Sequence, residues 1–122
     1  MNELLKDISA KASYGPLKAD FEGGIIDIIG TNSYGEIYPD RVNYTLPVDE
    51  VKPYLRPMNS MSEEEKMEYL TLTRLQYNEN EEPYREITIE SIDWLDKNRF
   101  DYRGFIVKGF ALEAKEGMYG KI

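Results

Sequence analysis

The sequence of 122 residues contains no histidine and no cysteine. Without cysteine the chain can form no disulfide, and it offers no thiolate as a nucleophile or metal ligand. Without histidine it lacks the side chain whose ordinary pKa lies nearest neutrality. These absences exclude most familiar catalytic and metal-binding arrangements. We therefore predict no catalytic residue, no metal site and no cofactor.

The sequence also lacks a long apolar run. Its most apolar stretch, residues 23–30, is interrupted by Asp27 and is much shorter than the roughly 20 residues that a membrane-spanning helix needs. The N-terminal residues mix charged and apolar side chains, whereas a signal peptide has a basic segment followed by an apolar one. The sequence thus predicts no membrane contact and a cytoplasmic location.

Positive charge is scarce: 15 lysines and arginines stand against 23 aspartates and glutamates, a formal net charge of −8. Residues 62–90 alone contain nine glutamates and three basic residues, a net charge of −6. Such a surface repels nucleic acid and anionic lipid and attracts basic groups. We expect a protein partner with a basic or neutral surface, and direct nucleic-acid binding is disfavoured.

The pattern of apolar residues predicts a single acidic α+β domain over residues 1–122. Alternation of apolar and polar side chains predicts a small antiparallel sheet over residues 17–46. Helical spacing predicts short helices over residues 3–12, 63–76 and 90–98, packed on that sheet.

The second of these helices has the clearest start signal. Ser62 and Glu65 match a capping box, in which each side chain binds the other residue's backbone N–H. We expect the glutamates of this helix to face water. Four apolar side chains are expected to face the core: Met67, Leu70, Leu75 and Tyr77.

Several shorter stretches also allow a prediction. Residues 25–29 contain four β-branched isoleucines and lie between glycines, which is typical of a buried strand. Residues 48–55 are expected to form one or two helical turns, and residues 78–83 a polar loop. Two glycines weaken a helix over residues 104–114, so we expect a strand or irregular structure there.

Two groups near Trp94 invite a chemical interpretation. Desolvation beside an indole would raise a carboxyl pKa, yet we interpret Asp93 and Asp96 as solvated or capping residues rather than catalytic ones. Arg99 and Arg103 lie close to aromatic side chains, which in a basic protein would indicate base stacking. In this acidic chain we interpret both arginines as structural.

Six glutamates form a candidate interaction surface. They are Glu63, Glu64, Glu68, Glu79, Glu81 and Glu82. Such carboxylates can imitate the phosphates of a nucleic acid and fit a basic groove on another protein. The alternative is that they only face solvent, as charged runs usually do.

Ten tyrosines and exposed strands are also compatible with a homodimer.

Four sequence blocks are distinctive: residues 51–65 (VKPYLRPMNSMSEEE), 93–95 (DWL), 100–104 (FDYRG) and 111–119 (ALEAKEGMY). With the early Tyr14-Gly15 pair, they resemble a family of small uncharacterised proteins of gut Bacteroidales bacteria, their prophages and phages. The resemblance implies a mobile-element context in a bacterial host cell and does not indicate any particular activity. Members often carry two histidines where this chain has Asn98-Arg99, so a role resting on those histidines does not carry over.

The blocks also allow a physical interpretation. Trp94 and Phe100 would anchor the C-terminal part of the fold. Arg103 would bind buried carbonyls or a carboxylate, and Gly104 would permit a sharp turn. The full structural signature is Arg56, Trp94, Phe100, Asp101, Tyr102, Arg103 and Gly104.

The leading hypothesis is a non-enzymatic accessory or interaction protein of phage or mobile-element origin. One alternative is an acidic inhibitor of a host defence or nucleic-acid-binding protein, acting through residues 62–90. Another is a carboxylate-dependent enzyme or small-ligand binder, which would need an enclosed pocket with convergent polar groups. A virion structural protein is also compatible with the sequence.

Overall fold

The computed structural model describes residues 2–119. The helices are α1 (Asn2–Ala12), α2 (Glu63–Leu72), α3 (Ile89–Lys97) and α4 (Phe105–Lys108). The strands are β1 (Leu17–Phe21), β2 (Gly24–Thr31), β3 (Glu36–Pro39), β4 (Leu46–Pro47), β5 (Lys52–Leu55), β6 (Arg74–Tyr77), β7 (Pro83–Glu86) and β8 (Leu112–Glu113). Single 3-10 turns lie at Val48–Glu50 and Met58–Ser60. No helix within residues 2–119 is long and apolar enough to cross a bilayer.

Six strands form a mixed sheet in the order β4-β3-β2-β1-β5-β8, and β6 and β7 form a separate hairpin. All neighbours in the large sheet are antiparallel except β5 and β8, which are parallel. The predicted α+β class is thus confirmed. The sheet extends beyond residues 17–46 because β5 pairs with β1 and β8 adds to β5.

The core lies on one face of the large sheet, beneath α1. Leu4 and Ile8 have helical spacing on α1 and belong to the buried core cluster. Leu17 and Ile28, which lie opposite each other in β1 and β2, belong to the same cluster. The apolar face of α1 therefore holds the helix on the sheet.

The other face of the sheet is more open. Ile28 is buried, but Ile25 and Ile29 are about half exposed because successive strand residues point to opposite faces. The prediction of a buried strand over residues 25–29 is therefore wrong for these two positions.

Residues 62–90, which we call the acidic arm, comprise α2, the hairpin and the start of α3. The predicted capping box is present: Ser62 Oγ accepts from the Glu65 N–H at 3.1 Å, and the Glu65 carboxylate accepts from the Ser62 N–H at 3.0 Å. α2 ends at Leu72 rather than at residue 76, because the backbone becomes extended at Thr73 and continues into β6.

Three further predictions need correction or refinement. Within residues 48–55 only Val48–Glu50 is helical, because Lys52–Leu55 pairs with β1. The third helix begins one residue before the predicted position 90, since Thr88 caps it through the Ser91 N–H. Residues 104–114 include both a helical turn, α4, and the short strand β8.

The β2–β3 and β6–β7 turns have the same hydrogen-bond pattern and a left-handed backbone conformation at the same position. In each, an asparagine Oδ1 accepts from the N–H groups two and four residues later: Asn32 in the first turn and Asn78 in the second. The fourth residue of each turn has a left-handed backbone, with φ of 80° at Gly35 and 60° at Glu81. Glycine adopts this conformation freely, whereas a residue with a Cβ does so at a cost.

We predict that Glu81→Gly stabilises the hairpin by about 0.5–1 kcal/mol, because it removes the left-handed strain. Protection of the Gln76 and Tyr84 amides against hydrogen exchange measures this change. Glu81→Gln is the control, since it removes the charge and keeps the Cβ. Gly35→Ala in the matching turn should destabilise by a similar amount, and stabilisation by Glu81→Gln equal to that by Glu81→Gly would contradict the strain argument.

Candidate functional site

The acidic arm is attached to the body of the protein through Arg56, which follows β5. Its backbone N–H donates to the Arg99 carbonyl and its carbonyl accepts from the Asp101 N–H, both at 2.8 Å. Its guanidinium donates to both carboxylate oxygens of Glu65 on α2, again at 2.8 Å each. Both side chains are buried. Arg56 therefore joins β5, the segment after α3 and the arm.

The ion pair between Arg56 and Glu65 packs against a stack of aromatic rings. The Arg56 Cζ lies 4.1 Å from the centroid of the Phe100 ring, and Phe100 stacks on Trp94 with centroids 5.5 Å apart. The Trp94 indole N–H donates to the Glu68 carboxylate at 3.1 Å, and its ring lies against Tyr69. The stack holds the guanidinium in a fixed plane, which favours the two-pronged contact with a carboxylate.

The Arg56 guanidinium lowers the pKa of the Glu65 carboxyl from 4.5 to about 2, and the Ser62 N–H adds to this effect. Glu65 is the buried residue of α2. In the same helix Met67 is 66% exposed and Leu70 is also exposed. The prediction that the glutamates of α2 face water is therefore wrong for Glu65, although Glu63, Glu64 and Glu68 are exposed. The prediction that Met67 and Leu70 face the core is wrong. The helix is held by an ion pair rather than by an apolar face.

The hairpin is also more exposed than predicted. Leu75 and Tyr77, which the sequence analysis placed in the core, are 46% and 61% exposed. They share one face of the hairpin with Arg85 and Pro83, their partners in the strand register. Ile87, just beyond β7, is 61% exposed. Helix α2 ends before these positions, so no helical face carries them to the core.

The predicted interaction residues lie in two groups on the acidic arm. Glu63, Glu64 and Glu68 are exposed on α2, whereas Glu79, Glu81 and Glu82 are exposed in the turn between β6 and β7. We call this turn the tip. The two groups lie on separate elements, and the exposed apolar side chains of α2 and the hairpin lie between them along the chain. The arm therefore combines carboxylates with apolar surface.

The signature residues after α3 have distinct positions. The Asp101 carboxylate accepts from the N–H groups of Phe105 and Ile106 at 2.9 Å each, so it caps α4. Gly104, with φ of 75°, makes the turn into that helix. The Arg103 guanidinium donates to the Glu3 carboxylate at 2.8 Å, which ties this segment to α1.

A second buried ion cluster joins α1 to α3. The Lys11 ammonium is fully buried and lies 2.6 Å from Asp7 Oδ1 and 3.0 Å from Asp96 Oδ1. The Tyr102 hydroxyl donates to the other Asp96 oxygen at 3.2 Å, and Arg103 Nε lies 3.5 Å from Asp7. Burial raises the pKa of the Tyr102 hydroxyl to about 12. The interpretation of Asp96 as a solvated or capping residue is wrong, because it is a partner of Lys11.

These contacts determine what the buried groups can do chemically. The buried carboxylates of the described chain all bind protein groups: Asp7 and Asp96 bind Lys11, Glu65 binds Arg56, and Asp101 caps α4. Within residues 2–119, no three acidic side chains come together in a way that could hold a metal ion. The buried charges thus act as internal ties.

The surface clefts are open to solvent. One of about 460 Å³ lies beside Met58 and Val107, with Asp101 at its wall. Another of about 390 Å³ lies between Ile25 and Tyr44. At the first cleft the Asp101 carboxylate already caps α4. At the second, the Asp27 carboxylate pairs with Lys18 at 2.8 Å, and Asp40 lies 3.7 Å from Arg41.

Comparisons with protein-family models, with curated proteins and with solved structures find no match to this chain.

Sequence reasoning missed the apolar part of the arm, although a signal was present. The turn pattern around Asn78 repeats that around Asn32, with an acidic residue closing both turns at Glu36 and Glu82. Recognising the repeat would have placed a hairpin at residues 74–86 and ended α2 earlier. The contact between Lys11 and Asp96 has no comparable local signal, because the two residues lie 85 positions apart.

We predict that Glu65→Gln destabilises the protein by about 3 kcal/mol at neutral pH, because it leaves the buried Arg56 guanidinium without a charged partner. The folded-state pKa of Glu65 lies below its unfolded value, so its carboxylate stabilises the fold above pH 4.5. That contribution is lost as the pH falls from 4.5 to about 2. Urea unfolding across this range should show a smaller pH dependence for Glu65→Gln. Glu64→Gln, next to it and exposed, is the control and should behave as the wild type; equal effects would contradict the assignment.

We also predict that Lys11→Met destabilises the protein by about 3–5 kcal/mol, because buried Asp96 loses its counter-charge and buried Asp7 keeps only the Arg103 Nε at 3.5 Å. Lys6→Met, on the same helix, breaks only an exposed contact of 3.7 Å with Glu3 and should change stability by less than about 0.5 kcal/mol. Thermal unfolding of both variants measures the difference. Similar melting temperatures for the two variants would show that the Lys11 cluster contributes little.

Proposed function

We propose that this chain is a non-enzymatic interaction protein whose acidic arm docks on a basic surface of another protein. The single observation that carries the proposal is the inverted exposure of α2. Helix α2 buries Glu65 against Arg56 and leaves Met67 and Leu70 exposed to solvent. A buried charge next to exposed apolar side chains is an informative combination, because contiguous exposed apolar surface marks binding sites.

The composition of the arm supports a protein partner. Binding interfaces combine an apolar centre with a polar rim, and tyrosine is enriched among the residues that contribute most. The arm offers Leu75, Tyr77 and Ile87 as apolar surface, with the carboxylates of the tip beside them. The apolar side chains would supply most of the affinity, and the carboxylates would orient and accelerate the encounter.

The charge of the arm supports the basic character of the partner. Residues 62–90 have a net charge of −6, and Glu65 is the one glutamate among them that is neutralised inside the protein. The remaining exposed carboxylates create a field that a basic surface would satisfy. Binding should therefore weaken as the salt concentration rises.

The wider context of the proposal is an accessory protein of phage or mobile-element origin, acting inside a bacterial host cell. The resemblance of the blocks around residues 51–65 and 100–104 supports this context. A more specific version is an inhibitor that occupies the basic groove of a host defence or nucleic-acid-binding protein. The six exposed glutamates favour this version, because their carboxylates can stand in for phosphates.

The test is affinity capture from a Bacteroidales lysate with the wild-type chain and two double variants. Leu75→Ser with Tyr77→Ser removes apolar surface from the arm, and Glu79→Lys with Glu82→Lys reverses charge at its tip. We expect proteins that the wild type enriches to be reduced at least about tenfold with either arm variant, as expected for the loss of central contacts.

Matched controls carry the same changes elsewhere on the surface. They are Ile25→Ser with Ile29→Ser on the open sheet face, and Glu113→Lys with Glu116→Lys near the C-terminus. These controls should capture as the wild type does. Capture that survives both arm variants but is lost with the controls would overturn the proposal.

A further inference from the structure

The edges of the two sheets differ in their protection against pairing with another chain. The six-stranded sheet ends in strands of two residues, β4 and β8, and β4 closes with Pro47. Very short edge strands and prolines are common defences against strand addition. β6 has neither defence: its four residues contain no proline, and within the described residues 2–119 it pairs with β7 alone.

The hydrogen-bond pattern fixes which backbone groups of the hairpin point outward. The Asn78 N–H donates to the Glu82 carbonyl at 3.0 Å, so these residues form a hydrogen-bonded pair. In an antiparallel ladder such pairs alternate with pairs whose N–H and C=O groups point away from the partner strand. The next pair, Tyr77 and Pro83, therefore points outward. Pro83 fits this position because it has no N–H to place in the ladder.

The same alternation makes the two hairpin edges unequal. Leu75 and Arg85, two residues further from the tip, also point their backbone groups outward. The β6 edge thus presents both the N–H and the C=O of Leu75 and of Tyr77. The β7 edge presents the N–H of Arg85 but none at Pro83. A strand that adds to the hairpin would find its full set of partners on the β6 edge.

We propose that the β6 edge receives an extended segment of another protein as a third strand. Its apolar residues would lie beside Leu75 and Tyr77, and its basic residues beside the tip carboxylates. This inference rests on the proposed docking function and adds the way in which the partner is held. Backbone hydrogen bonds would supply affinity, and alternate side chains would supply specificity.

Two properties of the arm support an extended basic segment as the third strand. An isolated two-stranded hairpin is marginal in water, so a third strand would stabilise it. The net charge of −6 on residues 62–90 selects a basic segment over a second copy, because two arms repel each other.

The test uses a blocked peptide, Lys-Lys-Val-Thr-Val-Thr, designed for antiparallel addition with its lysines at the tip. Titration followed by NMR should show the Leu75 and Tyr77 amides becoming protected from hydrogen exchange, while that of Arg85 does not change. The same peptide N-methylated at both valines lacks the N–H groups that would face β6. We expect it to bind at least about tenfold more weakly, since each lost donor leaves a carbonyl unpaired.

Variants of the protein separate the backbone contribution from the side-chain contribution. Tyr77→Pro removes an outward N–H and should bind the peptide about tenfold more weakly than Tyr77→Ala, which keeps the N–H. Arg85→Pro makes the same backbone change on the other edge and should bind no worse than Arg85→Ala. Unchanged protection of the Gln76 amide in each variant shows that the hairpin has remained folded.

Each outcome decides between the proposals. Equal binding by Tyr77→Pro and Tyr77→Ala, with both weaker than the wild type, would overturn strand addition and leave side-chain docking standing. Binding that none of these variants changes would also count against the arm as the docking surface. Protection of the Leu75 and Tyr77 amides in the free protein, with self-association, would assign the edge to a second copy and overturn the proposal.

Discussion

The buried contact between the Arg56 guanidinium and the Glu65 carboxylate determines which surface this molecule presents. It holds α2 by a charged residue, so the helix needs no apolar face against the core. Met67 and Leu70 are free to face solvent as a result. The stack of Phe100 and Trp94 beneath the guanidinium fixes its orientation.

The molecule therefore has two parts that differ in how much apolar surface they bury. The six-stranded sheet and α1 form a core of aliphatic side chains, closed by short edge strands. The acidic arm has few buried residues, an exposed hairpin and an open strand edge. Its tip keeps Glu81 in a left-handed conformation where the matching turn has Gly35.

Local signals were sufficient to predict part of this structure. The capping box at Ser62 and the apolar spacing of α1 are encoded within a few positions, and each predicted its element. The burial of Glu65 depends on Arg56, which lies outside the helix. Asp96 likewise depends on Lys11, 85 residues away. Charged side chains are ordinarily expected to face water, which predicts a surface position for both of these carboxylates. The expected continuation of the helix to residue 76 is what placed Tyr77 in the core.

The central claim is that a partner covers the acidic arm in the cell. Hydroxyl-radical footprinting measures this directly, because methionine and tyrosine oxidise in proportion to their exposure. We predict that Met67 and Tyr77 are strongly protected inside the cell that makes the protein, compared with the purified chain. Tyr34 and Tyr44, which are exposed on the body of the protein, should oxidise equally in both. Equal oxidation of the arm in both settings, with protection at Tyr34 and Tyr44, would contradict the account.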